Sequence, residues 1–390
     1  MKIIWEFFRY LFSFYVNPFE KKIDKYLSSL KENDDVFLVR ETVLNFMKEN
    51  LIVFTLFLEK KFKGYKYLKK SIRRQLYENV GMMLGKFEVF NKSLNFDENV
   101  LFEKIKLNTG KDFIFSPDDR EKIKYFYRIM DFLKPGRYYF YLGNASFGKL
   151  LRNLFINKLE GDCNQIVTLY VYLYSLKYDI SELQIKILKD HVCLYFKGID
   201  IEATNATFKS YDDYKFLLPI TELISTNLLD ISDLNEESYK IDEKELLKCS
   251  RFAYLLSSMR QLVDENLKIA YKNLVLRSIK ILDFEAAAYY SKKLDDNEIY
   301  RDVKIQEGLY YLSRKNFEKA IEIFAFIKDK QLVKSVYASH YNMLIEKVSG
   351  VKTIAEAKNF KYIYQKLADI AKKMEDHELY ENIKKTLNQL

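Results

Sequence analysis

Three side chains, well separated along the chain, are of the types that covalent acyl transfer requires: Cys163, His191 and Glu202. A cysteine attacks as its thiolate, an imidazole takes the proton and returns it to a leaving group, and a carboxylate on the imidazole fixes its orientation. Local context links the three. Gly161-Asp162-Cys163 precedes an apolar run from Ile166 to Leu176, so Asp162 reads as an N-cap and Cys163 falls in the first turn of a buried helix. Backbone N–H groups there lack intrahelical partners and the helix dipole is positive, and both favour a thiolate. Gly161 reads as the residue of a tight turn before the helix.

The imidazole and the carboxylate fall on two β-rich runs, His191–Phe196 and Ile199–Thr204, separated by Lys197-Gly198. A two-residue turn there makes a hairpin with Phe196 opposite Ile199 and Cys193 opposite Glu202. Side chains alternate, so His191, Cys193 and Tyr195 share a face with Thr204, Glu202 and Asp200. Glu202 is then the diagonal neighbour of His191, and Asp200 lies one pair further away. A bulge would reverse the parity, and lysine is not favoured at positive φ, so Asp200 stays open as the alternative third member.

Taken together, Gly161-Asp162-Cys163, His191-Val192-Cys193-Leu194 and Glu202-Ala203-Thr204 resemble the transglutaminase-like superfamily, the one related to papain-like cysteine peptidases. The likeness is to the bacterial branch in which this core is followed by tetratricopeptide (TPR) repeats. Glu202 stands where many such cores have an aspartate. Leu218-Pro219-Ile220-Thr221-Glu222-Leu223-Ile224 resembles their connector into the repeats. The resemblance covers about a quarter of the chain. It implies a triad of Cys163, His191 and Glu202 on a helix packed against a small antiparallel sheet. The oxyanion donors would be the Cys163 N–H and one further group, with Asn144, Asn164 and Gln165 as candidates.

The elements that must position these residues are mostly helices. Of 390 residues, 48% are hydrophobic and only 11 are Gly and 4 Pro, a balance that suits long helices over many short strands. The expected fold is α+β and predominantly helical. It has three parts: an N-terminal helical region at 1–117, a transglutaminase-like core at 118–237, and a TPR-like α-solenoid at 238–390. Val36–Leu58 reads as a buried helix, and the basic run Glu59–Arg74 as a solvated helix face. Ser116-Pro117-Asp118-Asp119 opens a helix that stops before Lys134-Pro135-Gly136. A turn near Gly143-Asn144 and a further helix would then deliver Gly161. Phe284-Glu285-Ala286-Ala287 and Phe317-Glu318-Lys319-Ala320 stand about one TPR period apart, giving units at roughly 268–299 and 300–333 with an irregular piece at 335–390. Gly308, Tyr311 and Phe324 take small and aromatic positions of that repeat.

The net charge of +9 is spread along the chain and demands no nucleic-acid partner. Three cysteines without paired spacing argue against a disulfide framework and for a reducing, cytoplasmic setting. No stretch reaches the ~20 apolar residues of a membrane span. The aromatic segment 3–16 has two readings, a helix docked on the body of the protein or one lying in a membrane surface. A zinc site at Cys163, His191 and Cys193 lacks the usual ligand spacing, so no metal or cofactor is expected. Two functions fit: a cysteine-dependent hydrolase or acyltransferase whose repeats recruit a protein or peptide, and a scaffold that keeps the core for its shape alone.

Overall fold

The computed structural model describes residues 13–390, apart from 32, 138, 144–145, 153–158 and 230–242. The described residues are mostly helical, with one five-stranded antiparallel sheet and a two-stranded parallel pair. Helix starts follow the capping residues. Helix α1 (Pro18–Ser29) has Pro18 in its first turn, and the Asn17 side chain accepts the Glu20 N–H. Helix α2 (Val36–Leu58) carries the apolar stretch. Asn50, at φ −167° and ψ 92°, interrupts it, and the Asn50 side chain accepts the Val53 N–H to restart the helix. A π turn (Glu59–Lys63) ends at Gly64, and α3 (Lys70–Ser93), α4 (Glu98–Thr109) and α5 (Pro117–Phe132) follow. Ser116 caps α5 through the Asp119 N–H at 3.1 Å.

The basic run Glu59–Arg74 is not a solvated face throughout. Lys63 and Arg73 are buried. Arg73 grips Glu20 with two hydrogen bonds of 2.7 and 2.8 Å, and its guanidinium lies over the rings of Phe14 and Phe57. Tyr77 donates to the same carboxylate at 2.6 Å. A guanidinium is tolerated at such depth when its donors and its charge are both matched. Residues 1–12, most of the aromatic opening segment, lie outside the described residues. Residues 13–16 are not helical, and Phe14 packs edge-on against Phe57. Among the described residues no helix is long and apolar enough to cross a membrane.

The sheet is built from β3 (Gln184–Leu188), β4 (His191–Phe196), β5 (Ile199–Glu202), β6 (Thr207–Lys209) and β7 (Phe216–Pro219), in the order β6-β5-β4-β3-β7. Against β4 packs α7 (Cys163–Ser175), with α5 behind it. The ring of Phe126 stacks on Tyr174 at 4.4 Å and meets Phe196 at 6.0 Å, so helix, helix and strand share one core. The approach to α7 differs from the expectation of a helix. Short β1 (Tyr139–Tyr141) pairs in parallel with β2 (Leu159–Gly161), and between them lies α6 (Phe147–Arg152). Gly161 therefore arrives on a strand, with its carbonyl held by the Tyr139 hydroxyl and the Leu142 N–H.

After β7 come α8 (Glu222–Leu229), α9 (Glu243–Leu256) and α10 (Arg260–Lys280). The chain divides into two compact units at Ala270/Tyr271, inside α10. The N-terminal helices and the sheet thus fall in one compact unit, and residues 237 and 238 lie outside the described residues. Buried contacts explain the union. Glu59 accepts the N–H groups of Phe147 and Gly148, Arg40 pairs with buried Glu222 at 3.0 Å, and Phe62 stacks on Phe252 at 5.0 Å.

The second unit continues with α11 (Phe284–Lys293), α12 (Asn297–Ser313), α13 (Phe317–Phe326), α14 (Lys330–Val348), α15 (Ile354–Lys358), α16 (Lys361–Met374) and α17 (His377–Leu387). Its landmarks recur. N-caps at Asp283 and Asn316 match, as do those at Asp296 and Asp329. Positive-φ residues at Leu282 and Lys315, and at Asp295 and Lys328, match in the same way. A Cβ on Gly308 would stand 2.3 Å from the ring of Phe324, so glycine there sets how closely α12 and α13 approach.

Candidate active site

Asp162 begins the site. Its carboxylate accepts the N–H of Asn164 at 2.9 Å and of Gln165 at 3.4 Å, and the Gln165 side-chain oxygen accepts the Asp162 N–H at 2.9 Å. This reciprocal capping box fixes the start of α7 and places Cys163 at its first helical position. The side-chain oxygen of Gln165 is thereby taken up by the cap, Asn164 stays on the wall of the cleft, and Asn144 lies outside the described residues. Gly161 is not at positive φ. A Cβ on it would meet Leu150 Cδ1 at 2.7 Å, so close packing on α6 is what requires glycine.

His191 opens β4 directly after Asp190, which takes φ 57° in a tight turn from β3. The next turn uses Lys197 at φ 48° and Gly198 at φ 95°, and it pairs Phe196 with Ile199 and Tyr195 with Asp200. Two consecutive positive-φ residues match the right-handed twist of a hairpin. In this register His191 and Glu202 meet on the diagonal, and the imidazole Nε2 lies 2.7 Å from Glu202 Oε2.

Asp200 does not reach the imidazole. It is buried and paired with Lys186, whose ammonium sits 2.7 Å away between the rings of Tyr195 and Tyr214. Lys186 also donates to the Tyr211 carbonyl at 2.8 Å, and Asp200 accepts the Tyr211 N–H. The Lys186–Asp200 pair thus fixes the backbone of Tyr211, whose hydroxyl donates to Glu202 at 3.0 Å. Thr204 adds its N–H at 3.1 Å and its hydroxyl at 2.6 Å. Tyr211 escaped the sequence reading because nothing local marks a tyrosine nine residues beyond a glutamate as its donor.

No protein-family model matches this chain, and comparisons with curated proteins and with solved structures gave no match.

The electrostatics follow from these contacts. Burial pushes the Glu202 carboxyl up, but the hydrogen bonds from His191 and Thr204 outweigh it and leave the group below the ordinary carboxylate value. His191 is raised from 6.5 to about 10, first by hydrogen bonding toward the Cys163 sulfur and then by Glu202, against the opposing effect of desolvation. With Nε2 on the carboxylate, Nδ1 is the ring nitrogen left for the sulfur. Cys193, fully buried and near Asp200 and Glu202, has its thiol pushed well up by desolvation. Cys249, also buried, is raised to about 12 for the same reason. His340 stacks on Phe317 at 4.3 Å in the second unit. Among the described residues no group of three His, Cys, Asp or Glu side chains is placed to hold a metal ion.

Cys163, Asn164 and His191 open into a cleft of about 330 Å³. The β3–β4 turn forms one wall, and Thr226 and Leu229 of α8 with Met259 and Leu262 the other. A carbonyl entering this space meets a sulfur at a helix N-terminus and an imidazole held by a carboxylate. That arrangement is suited to acyl transfer through a thioester.

Proposed function

We propose that the chain is a cysteine-dependent acyl-transfer or hydrolase enzyme with a transglutaminase-like core. The observation that carries this reading is the 2.7 Å contact of His191 Nε2 with buried Glu202, made by an imidazole that shares a cleft with Cys163. Glu202 holds the ring, and His191 keeps a proton beside the sulfur. The Cys163 sulfur, its proton passed to His191, attacks the carbonyl carbon of an amide or ester and forms the C–S bond. As the tetrahedral adduct collapses, the bond to the leaving nitrogen or oxygen breaks and His191 Nδ1 delivers its proton to that atom. Water, deprotonated by His191, then attacks the thioester and releases a carboxylic acid and the thiol. An amine in place of water completes a transfer. The Cys163 N–H, in the first turn of α7, supports the oxyanion.

The recurring helix pairs of the second unit support TPR-like repeats that recruit a protein or peptide partner. Close packing of Gly308 on Phe324 is the small-against-aromatic contact such pairs use.

Intact-mass spectrometry after mixing the full chain with an activated ester tests the enzyme reading. The wild type is expected to gain one acyl group on Cys163, and C163A none. Acylation of C163A to the same extent, or none in the wild type, overturns it. In that event the core serves as a scaffold.

A further inference from the structure

The lining of the Cys163 cleft says more than that a carbonyl fits. Six of its residues are aliphatic or thioether: Ile187, Leu188, Val192, Leu229, Met259 and Leu262. The other six are Cys163, Asn164, Asp190, His191, Lys215 and Thr226. The Thr226 hydroxyl is turned onto the Leu223 carbonyl at 2.9 Å, within its own helix. Asp190 and Lys215 are both exposed and of opposite sign, so they offer no net charge to an acidic or basic side chain. Leu262, on the wall of the cleft, is 42% exposed and so open to an entering side chain. At about 330 Å³ the space lies near the lower end of the ~300–1,000 Å³ range of ligand pockets, enough for one acyl side chain with its carbonyl.

Resting on the acyl-transfer reading above, we infer that the acyl donor carries an uncharged aliphatic or thioether side chain, of the leucine or methionine class, which packs against Met259 and Leu262 while its carbonyl faces Cys163. Such a side chain gains by leaving water against this apolar wall, whereas a charged one placed against Met259 and Leu262 would give up hydration for carbon contacts.

The test uses four 4-nitrophenyl esters, of N-acetyl-leucine, N-acetyl-methionine, N-acetyl-glutamate and N-acetyl-lysine, with the full chain and with C163A to subtract background hydrolysis. The leucine and methionine esters are expected to exceed the other two in kcat/KM by roughly 10- to 200-fold. L262E, at a half-exposed position and checked for an unchanged melting curve, is expected to lose most of that preference. Comparable rates for all four esters, with Cys163 acylated, overturn this inference and leave the enzyme standing. A preference that L262E leaves intact also overturns it. No acylation of Cys163 by any ester overturns the enzyme reading, and this inference with it.

Discussion

At the scale of single residues, the pair formed by His191 and Glu202 makes a signed prediction about pH. The His191 value is raised from 6.5 to about 10, so its contribution to stability is complete below about pH 6.5 and is lost as pH rises through about 10. Glu202 runs the other way. Its value is lowered from 4.5, so its contribution is present above about pH 4.5 and is lost as pH falls through the folded value. E202Q removes the negative charge beside the imidazole while keeping an oxygen that can accept its hydrogen bond. The alkaline loss of stability should then begin at lower pH, as thermal melts between pH 5 and 10 would report; an unshifted profile would contradict the assignment. Strand parity and a two-residue turn favoured Glu202 in the sequence but left Asp200 open, because a bulge at Lys197-Gly198 would have reversed the parity. What holds each carboxylate was not legible. Lys186 claims Asp200 across the sheet and Tyr211 reaches Glu202 from a following loop, contacts that depend on the register of neighbouring strands.

At the scale of elements, the start of α7 depends on a close approach. Gly161→Ala drives a methyl group into Leu150, which is wholly buried, and should cost about 1–3 kcal/mol in denaturant unfolding. Leu150→Val, which withdraws the clashing carbon, should recover part of that loss; if G161A is as stable as wild type, the packing argument fails. From sequence, this glycine reads as a turn residue, and only the folded β1–α6–β2 arrangement shows that its neighbour is Leu150. The N-cap at Asp162 was legible because capping is decided within four residues. That Gly161 ends a strand was not, because three-residue strands carry too little pattern to distinguish from a helix approach. The basic run Glu59–Arg74 misled for a related reason. Charge is a good guide to exposure only until a buried partner such as Glu20 is brought beside it.

At the scale of the whole molecule, the two compact units are held by separate cores, and a change in one should be felt there first. Gly308→Ala, pressing on the buried ring of Phe324, is expected to destabilise the second unit by about 1–3 kcal/mol. Hydrogen exchange should show faster opening of α12 and α13 while protection of α7 and β4 is retained; equal loss in both units would contradict two independent cores. The helical character of the second unit was readable from its periodicity, although the sequence reading began that region at 238 and the unit begins at Tyr271. The placement of the N-terminal helices in the same unit as the sheet was not readable, since it rests on pairings such as Arg40 with Glu222, 182 residues apart.

Alkylation of the three cysteines by iodoacetamide, followed by peptide mass spectrometry at neutral pH, tests most directly whether sulfur, imidazole and carboxylate act together. Cys163 should react far faster than Cys193 and Cys249, whose thiols burial keeps protonated. H191A should lower the Cys163 rate roughly 10- to 100-fold, the change in thiolate fraction at neutral pH when an activated cysteine returns to the ordinary range, and E202Q by a smaller factor. A Cys163 that reacts no faster than the other two, or at the same rate in H191A as in wild type, would contradict the account.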